Sequence, residues 1–227
     1  MLEIIDLKRT FGQKVAIDSV EFNIERNSIV ALSSTKHGAG KTTLINLISG
    51  HLVPDHGKIL FNSLDMVPLN PCQRKKQGLS CVAQEDYLFD NLTIADHVLA
   101  AARNSTSTVN ELYAQWRMDS QFLKKSFTAL ASAGIDVPME TKISDLSLIK
   151  KKMLSLGLAM LEPFDLLVWE EPLKGLEQSS YKEFEQLMQE LKRRNKTVFF
   201  TCSETAFSEK VSDKILIIDS GKIIQDL

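Results

Sequence analysis

No stretch of this chain approaches the ~20 consecutive apolar residues that a membrane-spanning helix requires, so any membrane role is expected to be peripheral. The opening decapeptide, MLEIIDLKRT, carries an early acid and no apolar core, and does not read as a secretory signal. Cysteine is sparse. Cys72, Cys81 and Cys202 show neither an even count nor metal-type spacing, which argues against a disulfide framework or a structural zinc site and for free thiols in a reducing cytoplasm. An excess of positive charge is missing as well. With 27 Lys and Arg against 29 Asp and Glu, no surface-wide grip on nucleic acid is expected, and no nucleic-acid partner. Internal repeats and low-complexity tracts are also absent.

What is present is 227 residues, 44% hydrophobic and 25% charged, enough to pack one α/β domain with a small inserted subdomain. IVALSS (Ile29 to Ser34) is a continuous apolar run, followed by a Gly-containing loop and the amphipathic KTTLINLISG. That order predicts strand, loop and helix, with Gly50 placed to stop the helix. HGKILFNS predicts a further strand. FDLLVWEEP (Phe164 to Pro172) has the unbroken hydrophobicity of a strand buried on both faces of a parallel sheet. Between about Ser179 and Asn195, Tyr181, Phe184, Leu187, Met188 and Leu191 recur at helical spacing. Ser179 or Ser180 can cap that helix. TVFFTCS and KILIID complete the alternation, which places a ligand at the C-terminal edge of a mostly parallel sheet. From roughly Thr93 to Ser155 the text is rich in Ala, Leu and Lys, predicting a helical insertion over about 93–155 whose Leu and aromatic positions are core.

The stretch with the most specific chemistry is HGAGKTT, His37 to Thr43. After a strand and before a helix it is most of a P-loop, in which backbone N–H groups and the helix N-terminus face phosphate. His37, Gly38, Ala39, Gly40 and Thr43 belong to that cradle, Lys41 reaches the β and γ phosphates, and Thr42 ligates Mg²⁺.

With that loop in register, the chain resembles the nucleotide-binding domains of ABC transporters over essentially its whole length. Phe11 stands where the family has an aromatic that stacks on adenine, although it also suits a plain core position. INLISGHLVPDHGKILFN is similar to the family's stretch after the P-loop, with its Pro-Asp and Gly turn. CVAQEDYLFDNLT resembles the Q-loop, putting Gln84 near Mg²⁺. LLVWEEP resembles the Walker B strand, with Glu170 at the metal position and Glu171 as the carboxylate that polarises the attacking water. KGLE (Lys174 to Glu177) resembles the D-loop. The resemblance implies a P-loop NTPase core with a mostly parallel sheet flanked by helices, a small N-terminal antiparallel β part and an inserted α-helical subdomain, the whole 1–227 forming one cassette.

Departures from the family pattern cluster on the chemistry. Thr35 replaces the first P-loop glycine, with Lys36 and His37 in place of the usual Pro and Asn. The signature turn, normally Leu-Ser-Gly-Gly-Gln, reads LSLIK: Ser147 is kept, but Leu148 and Ile149 add bulk where the backbone must approach a partner's γ-phosphate. Glu170 is one methylene longer than the usual aspartate. The switch histidine is Ser203. The KKK run, Lys150 to Lys152, reads as a solvated helix start rather than a phosphate site. Tyr87, Leu88 and Phe89 suit either a groove for a membrane partner's helix or packing onto the insertion.

The resemblance therefore implies a subunit that binds ATP and Mg²⁺, dimerises with a second cassette, and couples nucleotide binding and hydrolysis to transport by a separate transmembrane permease. Its place would be cytoplasmic, peripheral on the inner face of the cell membrane. The departures favour an alternative: a degenerate cassette with weak hydrolysis, acting as the nucleotide-binding structural or regulatory half of a heterodimer. A soluble ABC protein of translation or repair fits less well, since those carry two cassettes or a long coiled-coil insertion.

Overall fold

Two strand patterns in the sequence produce two sheets. β1 (Leu2–Phe11) and β2 (Lys14–Ile24) alternate, with Leu2, Ile4, Leu7, Ile17, Val20 and Ile24 turned inward and Glu3, Glu21 and Asn23 outward. Alternation of this kind suits an antiparallel sheet with one wet face. They join β4 (His56–Phe61) and β5 (Leu64–Asp65) in a four-stranded antiparallel sheet of order β2-β1-β4-β5. β3 (Ile29–Ser33), β7 (Leu166–Trp169) and β8 (Thr197–Thr201) are buried at every position, as strands covered on both faces must be. With β6 (Leu79–Val82), β9 (Lys214–Asp219) and β10 (Lys222–Asp226) they form a second sheet of order β10-β9-β3-β8-β7-β6. All its pairings are parallel except the edge hairpin β9-β10. The α/β expectation holds, antiparallel part included.

The computed structural model describes residues 1–34, 36–84, 88–101 and 120–227. Thr35, Tyr87 and the part of the helical reading between 102 and 119 lie outside the described residues. The chain falls into two compact units, one made of Met1–Gln84 with Phe164–Leu227, the other of Glu85–Pro163.

In the first unit a single core draws on both sheets and on α1 (Lys41–Ser49), whose Leu44, Ile45, Leu47 and Ile48 are buried among Ile4, Val20, Phe61, Val168 and Phe199. Gly50 ends α1 in the left-handed conformation, φ 87°. The last carbonyls of α1 are then met by a buried arginine. Arg74, from α2 (Pro71–Lys76), donates through Nη1 to Leu47 O and Ile48 O at 2.6 and 2.7 Å, and through Nε to Leu69 O at 2.9 Å. A cation at a helix C-terminus complements the helix dipole. Burial pulls the guanidinium pKa down to about 10, against the opposing pull of Asp65. α6 (Tyr181–Arg193) turns Phe184, Leu187, Met188 and Leu191 into the core, and α7 (Thr205–Val211) precedes β9. Of the two cap sites read from the sequence, Ser179 and Ser180, it is Ser180 that stands at the N-cap of α6, without a side-chain cap bond; a 3-10 turn over Gln178–Ser180 leads into the helix.

The second unit is helical where described: α3 (Ile94–Ala101), α4 (Ser120–Ser132) and α5 (Leu148–Ala159). Thr93 and Asp96 cap α3 reciprocally, each accepting the other's backbone N–H at 3.2 and 2.8 Å. A Cβ at Gly157 of α5 would lie 2.8 Å from Leu130 Cδ2 and 3.4 Å from Leu130 Cα, so a larger residue there would press on α4. Two sequence readings need correction here. The lysine run is not solvated throughout, because Lys150 and Lys151 pair with Asp136 and Asp90 whereas Lys152 is buried. Phe127, read as core, is 54% exposed.

Candidate functional site

Four parallel strands end side by side, and each delivers a polar residue just past its C-terminus: Ser34 after β3, Gln84 after β6, Glu170 and Glu171 after β7, Ser203 after β8. At that edge lies a cavity of about 520 Å³. Backbone N–H groups in the first turn of a helix have no intrahelical acceptor, and Lys41, Thr42 and Thr43, the first turn of α1, line the cavity. The cradle depends on Gly38 and Gly40, at φ 76° and 116°. At Gly40 a Cβ would stand 2.8 Å from Ala16 O and 3.1 Å from Ile17 Cδ1, so loop and core leave room for glycine alone.

The ammonium of Lys41 has three N–H donors, and three acceptors surround it: Ser34 Oγ at 3.0 Å, Ser203 Oγ at 3.3 Å and Glu171 Oε1 at 3.1 Å. Ser203 in turn donates its hydroxyl to Glu171 Oε1 at 2.9 Å. Lys41, Ser203 and Glu171 therefore form a closed triangle, with the two charged side chains 14% and 12% exposed. Glu171 is held at φ 45°, a left-handed conformation that costs a non-glycine residue on the order of 1–3 kcal/mol. Its N–H donates to Thr201 Oγ1 at 2.9 Å, which anchors the strained turn to β8.

Beneath the triangle, Thr42 Oγ1 donates to Glu170 Oε1 at 2.5 Å, and Glu170 is buried. A hydroxyl and a carboxylate side by side are hard oxygen donors, the set that Mg²⁺ takes while completing its shell with water and substrate phosphate. The residues present fit that ion as a shared guest rather than as an all-protein site: among the described residues no group of three His, Cys, Asp or Glu is placed to hold a metal.

Of the residues singled out from the sequence, Phe11, His37, Gly38, Ala39, Gly40, Lys41, Thr42, Thr43, Gln84, Glu171 and Ser203 line this one cavity. Glu170 joins through Thr42. Ser147 belongs to the other unit, where it stands at the N-cap of α5 without a side-chain cap bond. Phe89, in that same unit, is 66% exposed. The sequence reading missed Ser34, Lys14, Tyr181 and Cys202, which also line the cavity. Tyr181 was legible only as a helical-period position, and it begins α6 at the cavity wall instead of entering the core. Burial raises the Cys202 thiol pKa, and burial with help from Glu170 pushes Cys81 up to about 12, so both thiols stay protonated and unreactive at neutral pH.

The family model described as ABC transporter matches residues 17–174. A ribose import ATP-binding protein of Rhizobium meliloti is 26% identical over 224 residues, covering 99% of this chain and 42% of that protein. The chain thus spans less than half the length of that relative. A phosphonates import ATP-binding protein of Fusobacterium nucleatum is 24% identical over 226 residues, covering 98% of this chain and 90% of its own. Among solved structures, an ATP-binding cassette of an ABC transporter superposes with a TM-score of 0.88 at 23% identity, over 100% of this chain and 90% of the other. A bacterial ABC transporter cassette solved as a dimer gives 0.81 at 18% identity, over 100% and 98% of the two chains. At such identities the two structures speak for the fold alone.

Proposed function

The chain belongs to the ABC transporter family, and on that premise we propose that it is an ATP-binding cassette subunit that holds Mg-ATP in the cavity beside α1. The observation that carries the reading is the meeting of four groups there: the Lys41 ammonium, the Thr42 hydroxyl, and the Glu170 and Glu171 carboxylates. Phosphate would be cradled by the first-turn N–H groups of α1 and by Lys41. Thr42 and Glu170 would hold Mg²⁺, which neutralises phosphate charge when bound, with Gln84 lining the same wall. Phe11 would face the base. Glu171 would take the proton of an attacking water once it has left Lys41.

The import ATP-binding relatives and the dimeric cassette support a second cassette and a transmembrane permease as partners. Work at the inner face of the cell membrane follows from such a partnership. No helix among the described residues is long and apolar enough to cross a membrane.

A second reading has its own support. In the triangle, the carboxylate meant for water is bonded to the lysine meant for phosphate, and Ser203 bridges them where the family has a histidine that can carry charge. Leu148, next to Ser147, is 43% exposed at the start of α5, where the family pattern has glycine. These features favour a cassette that binds nucleotide but turns it over slowly, serving as one half of a heterodimer. Isothermal titration with Mg-ATP, followed by steady-state hydrolysis of the purified chain and of Glu171→Gln, separates the two. The motor reading expects turnover that falls at least about a hundredfold in Glu171→Gln, the equivalent of ~2.7 kcal/mol of transition-state stabilisation. The second expects binding with negligible turnover in both proteins. An unaltered chain that binds no ATP at millimolar concentration would sink both.

A further inference from the structure

The turn LVPDHG lines no part of the cavity, yet it is tied to Phe11, an aromatic that does. β1 ends at Phe11, which is 44% exposed and belongs to the cavity lining. The Arg9 guanidinium lies 5.0 Å from the centroid of that ring. Arg9 is itself immobilised: Nη1 donates to Asp55 Oδ1 at 2.8 Å and to Val53 O at 3.0 Å. The other Asp55 oxygen accepts the Thr10 N–H at 2.7 Å, and the Asp55 N–H donates to Lys8 O at 2.8 Å. This turn sits so close to β1 because of Gly57, at φ 95°, where a Cβ would lie 2.3 Å from Asp6 O. The Asp55 carboxylate thus holds the guanidinium and the guanidinium lies over the phenyl ring, with Phe11 in the cavity lining and Arg9 outside it.

We propose that Arg9 and Asp55 are positioning residues that brace Phe11 for stacking on the nucleobase of a nucleoside triphosphate. The inference rests on the nucleotide reading above and deepens it. Two effects follow from the geometry. A cation fixed against one face of a phenyl ring draws electron density from it, so the opposite face stacks better on an electron-rich base. An aromatic at a hairpin tip would otherwise sample several rotamers, and a braced ring forfeits less entropy when a ligand lands on it. Because Arg9 is paired with Asp55, the unit carries no net charge toward the phosphates, and its influence falls on the base.

That selectivity supplies the test. Calorimetric titrations of the full chain with ATP and, separately, with inorganic tripolyphosphate are run on the unaltered protein, Arg9→Ala, Arg9→Lys, Phe11→Ala and the Arg9→Ala/Phe11→Ala double variant. Arg9→Ala is expected to weaken ATP binding about fivefold, the scale of one cation–π contact, and to leave tripolyphosphate binding within about twofold. Arg9→Lys, which keeps charge but loses the plane, is expected between the two. In the Phe11→Ala background the Arg9 effect on ATP should vanish. Equal losses for both ligands, or an Arg9 effect that survives without Phe11, would overturn the brace. Should Arg9→Ala fail to fold by thermal melting, Asp55→Asn provides the same pair of titrations with the guanidinium kept but its ion pair removed. An unaltered chain that binds neither ligand would overturn the nucleotide reading itself, whereas ATP binding indifferent to Arg9 and Asp55 overturns only this inference.

Discussion

The two ends of the cavity are built by different means. At the α1 end the architecture is backbone: two left-handed glycines, a helix N-terminus, and a core that leaves no space for a Cβ at Gly40. At the β7–β8 end it is side chains, with Glu171, Ser203 and Lys41 satisfying one another, and Thr42 satisfying Glu170. A backbone cradle keeps its function through many side-chain changes as long as the glycines stay. A side-chain cluster changes with every substitution, and here it has settled into a self-paired arrangement that an incoming phosphate must open. Of the departures from the family pattern, Glu170 and Ser203 fall in that side-chain cluster.

Mutation separates the backbone cradle from the side-chain cluster. Gly40→Ala should do most damage, because it combines a forbidden φ with a 2.8 Å clash on Ala16 O. A loss of about 3 kcal/mol is expected in urea unfolding, with nucleotide binding gone. A mild effect would show that the loop can reshape. Next comes Lys41→Ala, which removes the cation at the cradle. Mg-ATP affinity should drop about a hundredfold, or ~2.7 kcal/mol, and the melting temperature should fall as well, because Glu171 is left without its buried partner. For the carboxylate paired with that lysine the sign reverses. Glu171→Gln releases Lys41 from its ion pair, so affinity for ADP should rise about fivefold by calorimetry; ADP avoids any gain from blocked hydrolysis. A drop in ADP affinity would mean that the carboxylate holds Lys41 in position rather than back. Ser203→Ala should have the smallest effect, about a twofold rise in ADP affinity, since it removes the bridging hydroxyl but leaves the ion pair.

Legibility in the sequence followed the range of the interactions. β3, α1, β7 and β8 were readable because each announces itself within a dozen residues, through continuous apolar text or a glycine-bounded helix. The P-loop was readable for the same reason. Phe11 was left open between core and ligand, and only its 44% exposure and place in the cavity wall decided for the wall. The lysine run misled because its three residues look alike in text, whereas helix geometry points Lys150, Lys151 and Lys152 in different directions, and one of them inward. Arg74 carried no signal at all: nothing local distinguishes it from Lys75 and Lys76, yet it closes the C-terminus of α1.

Backbone conformation and hydrophobic period are local properties of the chain, so the elements and the parallel character of the central strands were legible in the amino-acid text. Only the tertiary structure decided which side chains meet. The order β9-β3-β8-β7 sets the tips of β3, β7 and β8 beside one another, and so unites Thr42 with Glu170 across 128 positions and Lys41 with Ser203 across 162. The β1–β4 pairing of the other sheet likewise seats Asp55 against Arg9, 46 positions away. Those pairings depend on strand order and register over long loops of chain, which no local pattern encodes, and they are what turns a legible P-loop into this particular site.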